Sequence, residues 1–359
     1  MKKNFLFKFS AIAMSLILIA CGGSTSEDVV ETETTAIESE ESLNVVVTTP
    51  MLGEFVKQVA GDSVVLDVLM PAEADPHTYD PSPQDAAKIS DADIVLYVGI
   101  KYETSSLLKL IENTASTNAT LLEIGEEIDP IEFKDGEHDH GNHDDHDEEG
   151  HDDDKDHDHD DEDGHDDHDD EGHEGHEGHD HGSEDPHFWF DPVRVAMAVE
   201  VIKDSLVSLD PANTSTYEAN ADNFISELTD LDAQVKELIE SVSEDNRKIV
   251  TTHEALGYLE ARYGIEVFAT IIPSLTTTDE ISPSQIADVI DVIEDNNIKV
   301  LFVESEAPSV YAETVAAEAG ITAVTGLYVE TLKDGQTYSD FLISNVTLIV
   351  ESLNSAGEG

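Results

Sequence analysis

Apolar residues along this chain fall into two rhythms. Short, mostly apolar runs at 45–48, 64–69, 94–98 and 120–124 read as buried strands. Between them, 51–60, 82–90 and 104–113 carry apolar residues three and four apart and read as amphipathic helices, and another is expected at 193–209. The second half repeats the rhythm, with strands expected at 249–252, 267–271, 300–303 and 321–324 and helices at 255–263, 284–296, 309–319 and 338–353. Strands alternating with helices of about 10–15 residues predict parallel sheets in an α/β fold. Between the halves, Tyr217, Ala221, Phe224, Leu228, Leu231, Val235, Leu238 and Val242 recur at alternating spacings of four and three. That is one apolar stripe on a helix over 211–243, roughly 48 Å long at 1.5 Å per residue. Pro211 suits its first turn and Asp210 its cap. A helix of that length is expected to pack against both halves.

Two segments lack any such pattern. Residues 135–185 hold 27 acids, 13 histidines and 8 glycines, plus Asn142, Lys155 and Ser183, and no apolar side chain. They are expected to form a disordered insertion that buries nothing. At the start, Lys2, Lys3 and Lys8 precede an apolar stretch at 9–20 that is too short to span a bilayer and ends in Leu18-Ile19-Ala20-Cys21. This ending resembles a bacterial lipobox, in which the leader is cleaved and Cys21 becomes a lipidated first residue. The chain then divides into a signal peptide (1–20), a lipid-anchored disordered tether (21–43), a first α/β lobe (44–210) carrying the insertion, a linking helix (211–243) and a second α/β lobe (244–357).

Charge narrows the partners. Among 359 residues, 81 Asp and Glu face 17 Lys and Arg, a net charge of −64. Such a chain offers no basic face to nucleic acid or to an anionic membrane surface, and cations are its natural partners. With one cysteine it has neither an internal disulfide nor a Cys-rich metal site.

Of 16 histidines, His138, His140, His143, His146, His151, His157, His159, His165, His168, His173, His176, His179 and His181 lie in the insertion. Only His77, His187 and His253 belong to patterned sequence, each in a polar turn after a strand or after the long insertion. Ligands of open α/β sheets bind beyond the carboxyl ends of strands. Three imidazoles at that edge are a metal-site signature, though each also reads as an independent capping or hydrogen-bonding residue. His253-Glu254-Ala255-Leu256-Gly257 lacks the second histidine of a zincin helix, and no nucleophile elbow, Walker A loop or dinucleotide fingerprint occurs.

Four stretches in this order resemble the metal-binding substrate-binding lipoproteins of zinc and manganese ABC transporters. They are Asp75-Pro76-His77-Thr78-Tyr79 with Pro81-Ser82-Pro83-Gln84-Asp85; Asp185-Pro186-His187-Phe188-Trp189-Phe190-Asp191-Pro192; His253-Glu254-Ala255-Leu256-Gly257-Tyr258-Leu259 with Tyr263-Gly264; and Phe302-Val303-Glu304-Ser305. The similarity runs over about 43–353. It implies two Rossmann-like parallel-sheet lobes joined by one long helix, with metal held in the cleft by two ligands from each lobe. His77 and His187 match the first-lobe ligands and His253 the first ligand of the second. The fourth is usually an Asp in a Leu-Tyr-x-Asp-Ser-like stretch. Here that stretch is Leu327-Tyr328-Val329-Glu330-Thr331-Leu332, which puts Glu330 in the position; its other reading is a solvated loop acid. Glu280 stands in reserve. Zinc-uptake members often carry a His-rich insertion just before the second ligand, which implies auxiliary metal capture by its thirteen imidazoles; a solubilising loop is the alternative.

Three imidazoles and one carboxylate suit tetrahedral Zn(II), whereas Mn(II) wants more oxygen. The expected function is non-enzymatic: an extracytoplasmic monomer, held to the membrane by its N-terminal lipid alone, that captures Zn(II) and passes it to an ABC permease and its ATPase. A manganese or iron binder of the same family is one alternative, and a zinc-storage or adhesin lipoprotein another. A zinc hydrolase with Glu254 or Glu280 as base would need an open coordination position for water, which a fourth protein ligand closes.

Overall fold

The computed structural model describes residues 42–133, 184–306 and 310–357. In chain order its elements are β1 (Leu43–Val47), α1 (Pro50–Ala60), β2 (Val64–Val68), α2 (Pro83–Asp91), β3 (Ile94–Tyr97), α3 (Ser105–Thr114), β4 (Thr120–Glu123), α4 (Pro192–Leu209) and α5 (Thr214–Glu240), then β5 (Lys248–His253), α6 (Gly257–Tyr263), β6 (Glu266–Ile272), α7 (Pro283–Asp295), β7 (Val300–Glu304), α8 (Val310–Ala319), β8 (Thr322–Leu327) and α9 (Tyr338–Gly357). Several helices start on the same device. Thr49, Ser82 and Ser282 each precede a proline and accept a backbone N–H of the first turn. The hydroxyl satisfies an orphaned donor, and proline removes another.

The strands form two all-parallel sheets of four, ordered β2-β1-β3-β4 and β6-β5-β7-β8. In each order the chain leaves its first strand toward one edge and returns past it toward the other. The crevice between the two central strands, β1 with β3 and β5 with β7, is therefore where the following loops diverge and a ligand can enter.

One large apolar core joins both sheets through α1, α4, α5 and α9. Phe55 packs on Tyr338 with ring centroids 5.4 Å apart, and Phe190 on Phe341 at 5.7 Å. Smaller cores cover the other faces: Val46, Ile89, Val95 and Leu107 in the first lobe, and Val250, Ile271, Leu301 and Val315 in the second.

Every expected strand and helix is present among the described residues, with ends moved by a few positions. The linking helix is shorter than expected. Pro211–Asn213 form a 3-10 turn, and the α-helix is 27 residues long, about 40 Å. Asp210 does not cap its backbone; its carboxylate accepts from the Asn213 amide at 2.8 Å and the Tyr217 hydroxyl at 2.6 Å. Along the stripe, Ile239 is buried where Leu238 was expected, and Leu238 is only half-buried. A strict seven-residue repeat drifts by ~20° per heptad on an ideal helix. Over the three heptads from Tyr217 that drift moves the buried position toward the next residue.

Both patternless segments end earlier than expected. Leu43 already belongs to β1. Glu184 bridges Glu132, and the Asp185 N–H donates to the Ile131 carbonyl at 3.0 Å. Asp185 is buried, which corrects the expectation that nothing through 185 packs; its carboxylate is buried against donors rather than apolar surface. Cys21, the tether through 41 and the thirteen insertion histidines lie outside the described residues.

Phe55 is fully buried and touches Phe188, Phe224 and Tyr338. Phe55→Ala is expected to cost about 3–5 kcal/mol in metal-free denaturant unfolding. Val65→Ala, at a half-exposed site, should stay within about 0.5 kcal/mol.

Candidate metal centre

His77 and His187 are placed by the same local fold. In each Asp-Pro-His turn the aspartate Oδ1 accepts the histidine N–H two residues on, at 2.9 Å both times. Pro76 opens the 3-10 turn Pro76–Thr78, while His187 caps the turn Phe188–Phe190. All three aromatic rings of the second turn are fully buried, so apolar packing anchors the backbone that carries His187. His253 is the last residue of β5 and Glu304 the last of β7, on either side of the second sheet's crevice.

Glu330 follows β8, and the first lobe grips its strand end. The Trp189 indole N–H donates to the Val329 carbonyl at 2.7 Å, and the Tyr102 hydroxyl to the Glu330 carbonyl at 3.0 Å. From the second lobe the Glu306 carboxylate accepts the backbone N–H groups of Val329, Glu330 and Thr331 at 3.2–3.3 Å.

These turns bring the four predicted ligands together. One donor atom from each of His77, His187, His253 and Glu330 lies within 4.8 Å of all the others, and all four residues are buried. Glu330 Oε1 is 2.8 Å from His253 Nε2, 3.4 Å from His77 Nε2 and 3.5 Å from His187 Nε2. None of these approaches is aligned as a hydrogen bond: the three Nε2 atoms and both Glu330 oxygens are buried without a hydrogen-bond partner. A cluster of unpartnered buried lone pairs is costly unless a cation sits among them. Zn–N bonds of about 2.0–2.1 Å put tetrahedral donors roughly 3.3 Å apart, a spacing this cluster reaches with small side-chain shifts.

Two carboxylates that sequence reasoning did not place in the site stand behind the imidazoles. Asp185 Oδ1 lies 2.8 Å from His187 Nδ1, and Glu304 Oε2 lies 2.5 Å from His253 Nδ1. The signals were present: Asp-Pro-His occurs twice, and Glu304 ends a wholly apolar strand. Glu254 lies outside the cluster and accepts the Thr270 hydroxyl at 3.0 Å; Glu280 is exposed and outside it too.

Charge in the metal-free site is shared. Burial opposes a charge on His187, yet the Glu330 and Asp185 carboxylates outweigh it and raise the imidazole to about 9. His253 is likewise driven well above its ordinary value, burial being overcome by Glu304 and Glu330. Burial raises the Glu330 carboxyl, but His187 and His77 hold it well below the usual carboxylate range. Without metal, these carboxylates favour the protonated forms of His187 and His253.

Two α/β lobes closed over a buried cluster of three imidazoles and a carboxylate define a cation-binding protein. Comparison with known proteins places it more closely. The model of the family described as "Zinc-uptake complex component A periplasmic" matches residues 45–352, and the chain belongs to that family. It is thus the substrate-binding component of a metal ABC transporter, not an enzyme. The manganese-binding lipoprotein MntA of Halalkalibacterium halodurans is 26% identical over 98% of this chain and 99% of its own. The high-affinity zinc uptake system protein ZnuA of Bacillus subtilis is 28% identical over 98% of this chain and 99% of its own. The periplasmic zinc binding protein TroA of Treponema pallidum has the same fold, with a TM-score of 0.68 at 22% identity over 86% of this chain and 98% of that one.

The raised imidazoles set a pH dependence. His187 rises in the folded state from 6.5 to about 9, so its contribution to metal-free stability is complete below about 6.5 and lost as pH rises through about 9. Metal-free melting temperature should fall over that interval, while apparent metal affinity rises as protons leave the ligands. Calorimetric titration at pH 7.5 in buffers of different ionisation enthalpy should show net proton release on binding.

Proposed function

We propose that this protein captures Zn(II) outside the cytoplasmic membrane and delivers it to an ABC permease and its ATPase, acting as a monomer anchored through lipidated Cys21. The observation that carries this reading is the donor set itself: three Nε2 atoms and one carboxylate, buried, convergent and unpartnered. Three nitrogens and one oxygen suit a tetrahedral borderline ion, and among the described residues no second carboxylate joins the cluster to satisfy a harder one. His77, His187, His253 and Glu330 are the proposed ligands. Some relatives are named for manganese, so Mn(II) is the second reading. The thirteen histidines of the insertion are proposed as weak auxiliary capture sites feeding the cluster.

Chelator-free metal analysis and competition titration against a chromogenic chelator test this. One tight zinc per chain is expected. His253→Ala should weaken it by orders of magnitude without unfolding the protein, and unchanged tight binding in that variant would remove the cluster from the function. Tighter retention of manganese than zinc would favour the second reading.

The buried Asp185 sets the boundary for a deletion. Replacing 134–183 with a short Gly-Ser bridge while keeping Glu184 and Asp185 should preserve the one tight zinc and lose only weak, easily stripped ions. Extending the deletion through Asp185 should weaken the tight site as well. Loss of tight binding in the shorter deletion would mean that the insertion supplies primary ligands.

A further inference from the structure

We infer that Asp185 and Glu304 are positioning residues that make the cluster prefer zinc over manganese, an inference that rests on the zinc-binding reading above. Both are buried acids beside the cluster, and neither carboxylate belongs to the group that converges on its centre. Each is held away by donors. Asp185 Oδ1 takes both the backbone N–H and the ring Nδ1 of His187, at 2.9 and 2.8 Å. Glu304 Oε1 takes the N–H groups of Thr252 and His253 at 3.2 and 3.0 Å, leaving Oε2 against His253 Nδ1 at 2.5 Å.

An ionised carboxylate only accepts, so each Nδ1 must carry a proton, and Nε2 is the nitrogen whose lone pair is offered to a bound cation. The anion behind the ring also strengthens that lone pair as a donor. The two acids therefore add negative charge to the site without adding oxygen ligands. Strong nitrogen donors favour zinc, and withheld oxygens disfavour a harder ion. Thr251 and Thr252 help lock the arrangement: the Thr252 hydroxyl accepts the Glu304 N–H at 3.2 Å and the Thr251 hydroxyl donates to the His253 carbonyl at 3.0 Å.

The two acids differ in a way that separates charge from orientation. In Asp185→Asn the amide oxygen can still take both His187 donors, so the tautomer survives and only the charge is lost. In Glu304→Gln, an oxygen kept on the two backbone N–H groups turns the NH2 toward His253 Nδ1. The ring proton must then move to Nε2 and block ligation.

The test measures zinc and manganese affinities of wild type and both variants by chelator competition, with thermal melts to verify folding. Imidazole 15N NMR reports the tautomer, which a merely structural role would not move. Asp185→Asn should lose about 10-fold in zinc affinity and Glu304→Gln about 100-fold, each losing less for manganese. In metal-free protein at a pH high enough for the ring to be neutral, His253 should keep its proton on Nδ1 in wild type and carry it on Nε2 only in Glu304→Gln. Zinc affinity within about threefold of wild type in both variants, or equal losses for the two metals, overturns the inference. If Glu304→Gln does not fold, Asp185→Asn decides by the same thresholds. Wild type lacking tight zinc, or keeping it in His253→Ala, is a different failure, that of the underlying reading.

Discussion

The structure turns on one buried negative charge. Glu330 is fully buried, and neither of its oxygens has a hydrogen-bond partner. A carboxylate in that position costs several kcal/mol in desolvation unless positive charge faces it. Among the described residues, the groups that face it with positive charge are the imidazoles of His77, His187 and His253, and they do so only when protonated. The cluster thus has two compensated states, with protons or with a cation, and an uncompensated one between them. Exchange of protons for metal is built into the chemistry of the site.

Holding that charge in place requires both lobes. Glu330 belongs to the second half of the chain, yet its own carbonyl and that of Val329 accept from Tyr102 and Trp189 of the first. The Tyr338 hydroxyl returns the contact by donating to the Trp189 carbonyl at 2.7 Å. Tyr258 of α6 accepts from the Ile131 N–H and donates to the Asp185 carbonyl, gripping both chain ends that flank the insertion. Thr277 adds a bond to Asp75 at 2.7 Å. These bonds surround the cluster and continue the apolar core that α5 and α9 share with both sheets. Both lobes therefore brace the donors, which limits the ordering that binding must supply.

What was legible in the sequence was whatever is local or periodic. Strands and helices announced themselves by apolar rhythm, and His77, His187 and His253 by being the histidines within patterned sequence. Glu330 needed the resemblance of its Leu-Tyr-Val-Glu stretch, since a loop acid has no signal of its own. Asp185 was assigned to the insertion because composition does not show where an acidic tract stops. Only the repeated Asp-Pro-His turn marked it. The role of Glu304 depends on β7 lying beside β5, a pairing between residues about 50 positions apart that periodicity cannot supply. Tyr102 is a lone loop aromatic whose hydroxyl reaches a residue 228 positions away.

The acidity of the whole chain and the chemistry of the cluster act on different ranges. A net charge of −64 enriches cations near the protein, but the Debye length is only about 8 Å at physiological salt. That field also ranks ions by charge alone, so magnesium and calcium share in it equally with zinc. Discrimination has to come where water is excluded and donor type counts, among three nitrogens and one oxygen. Two further acids stand behind its imidazoles, with Asp185 Oδ1 and both Glu304 oxygens taken up by backbone and ring N–H groups. Among the described residues, a chain so rich in carboxylates thus brings one of them, Glu330, into the proposed ligand cluster. Without that exclusion the cluster would drift toward the oxygen-rich coordination that suits the abundant hard ions.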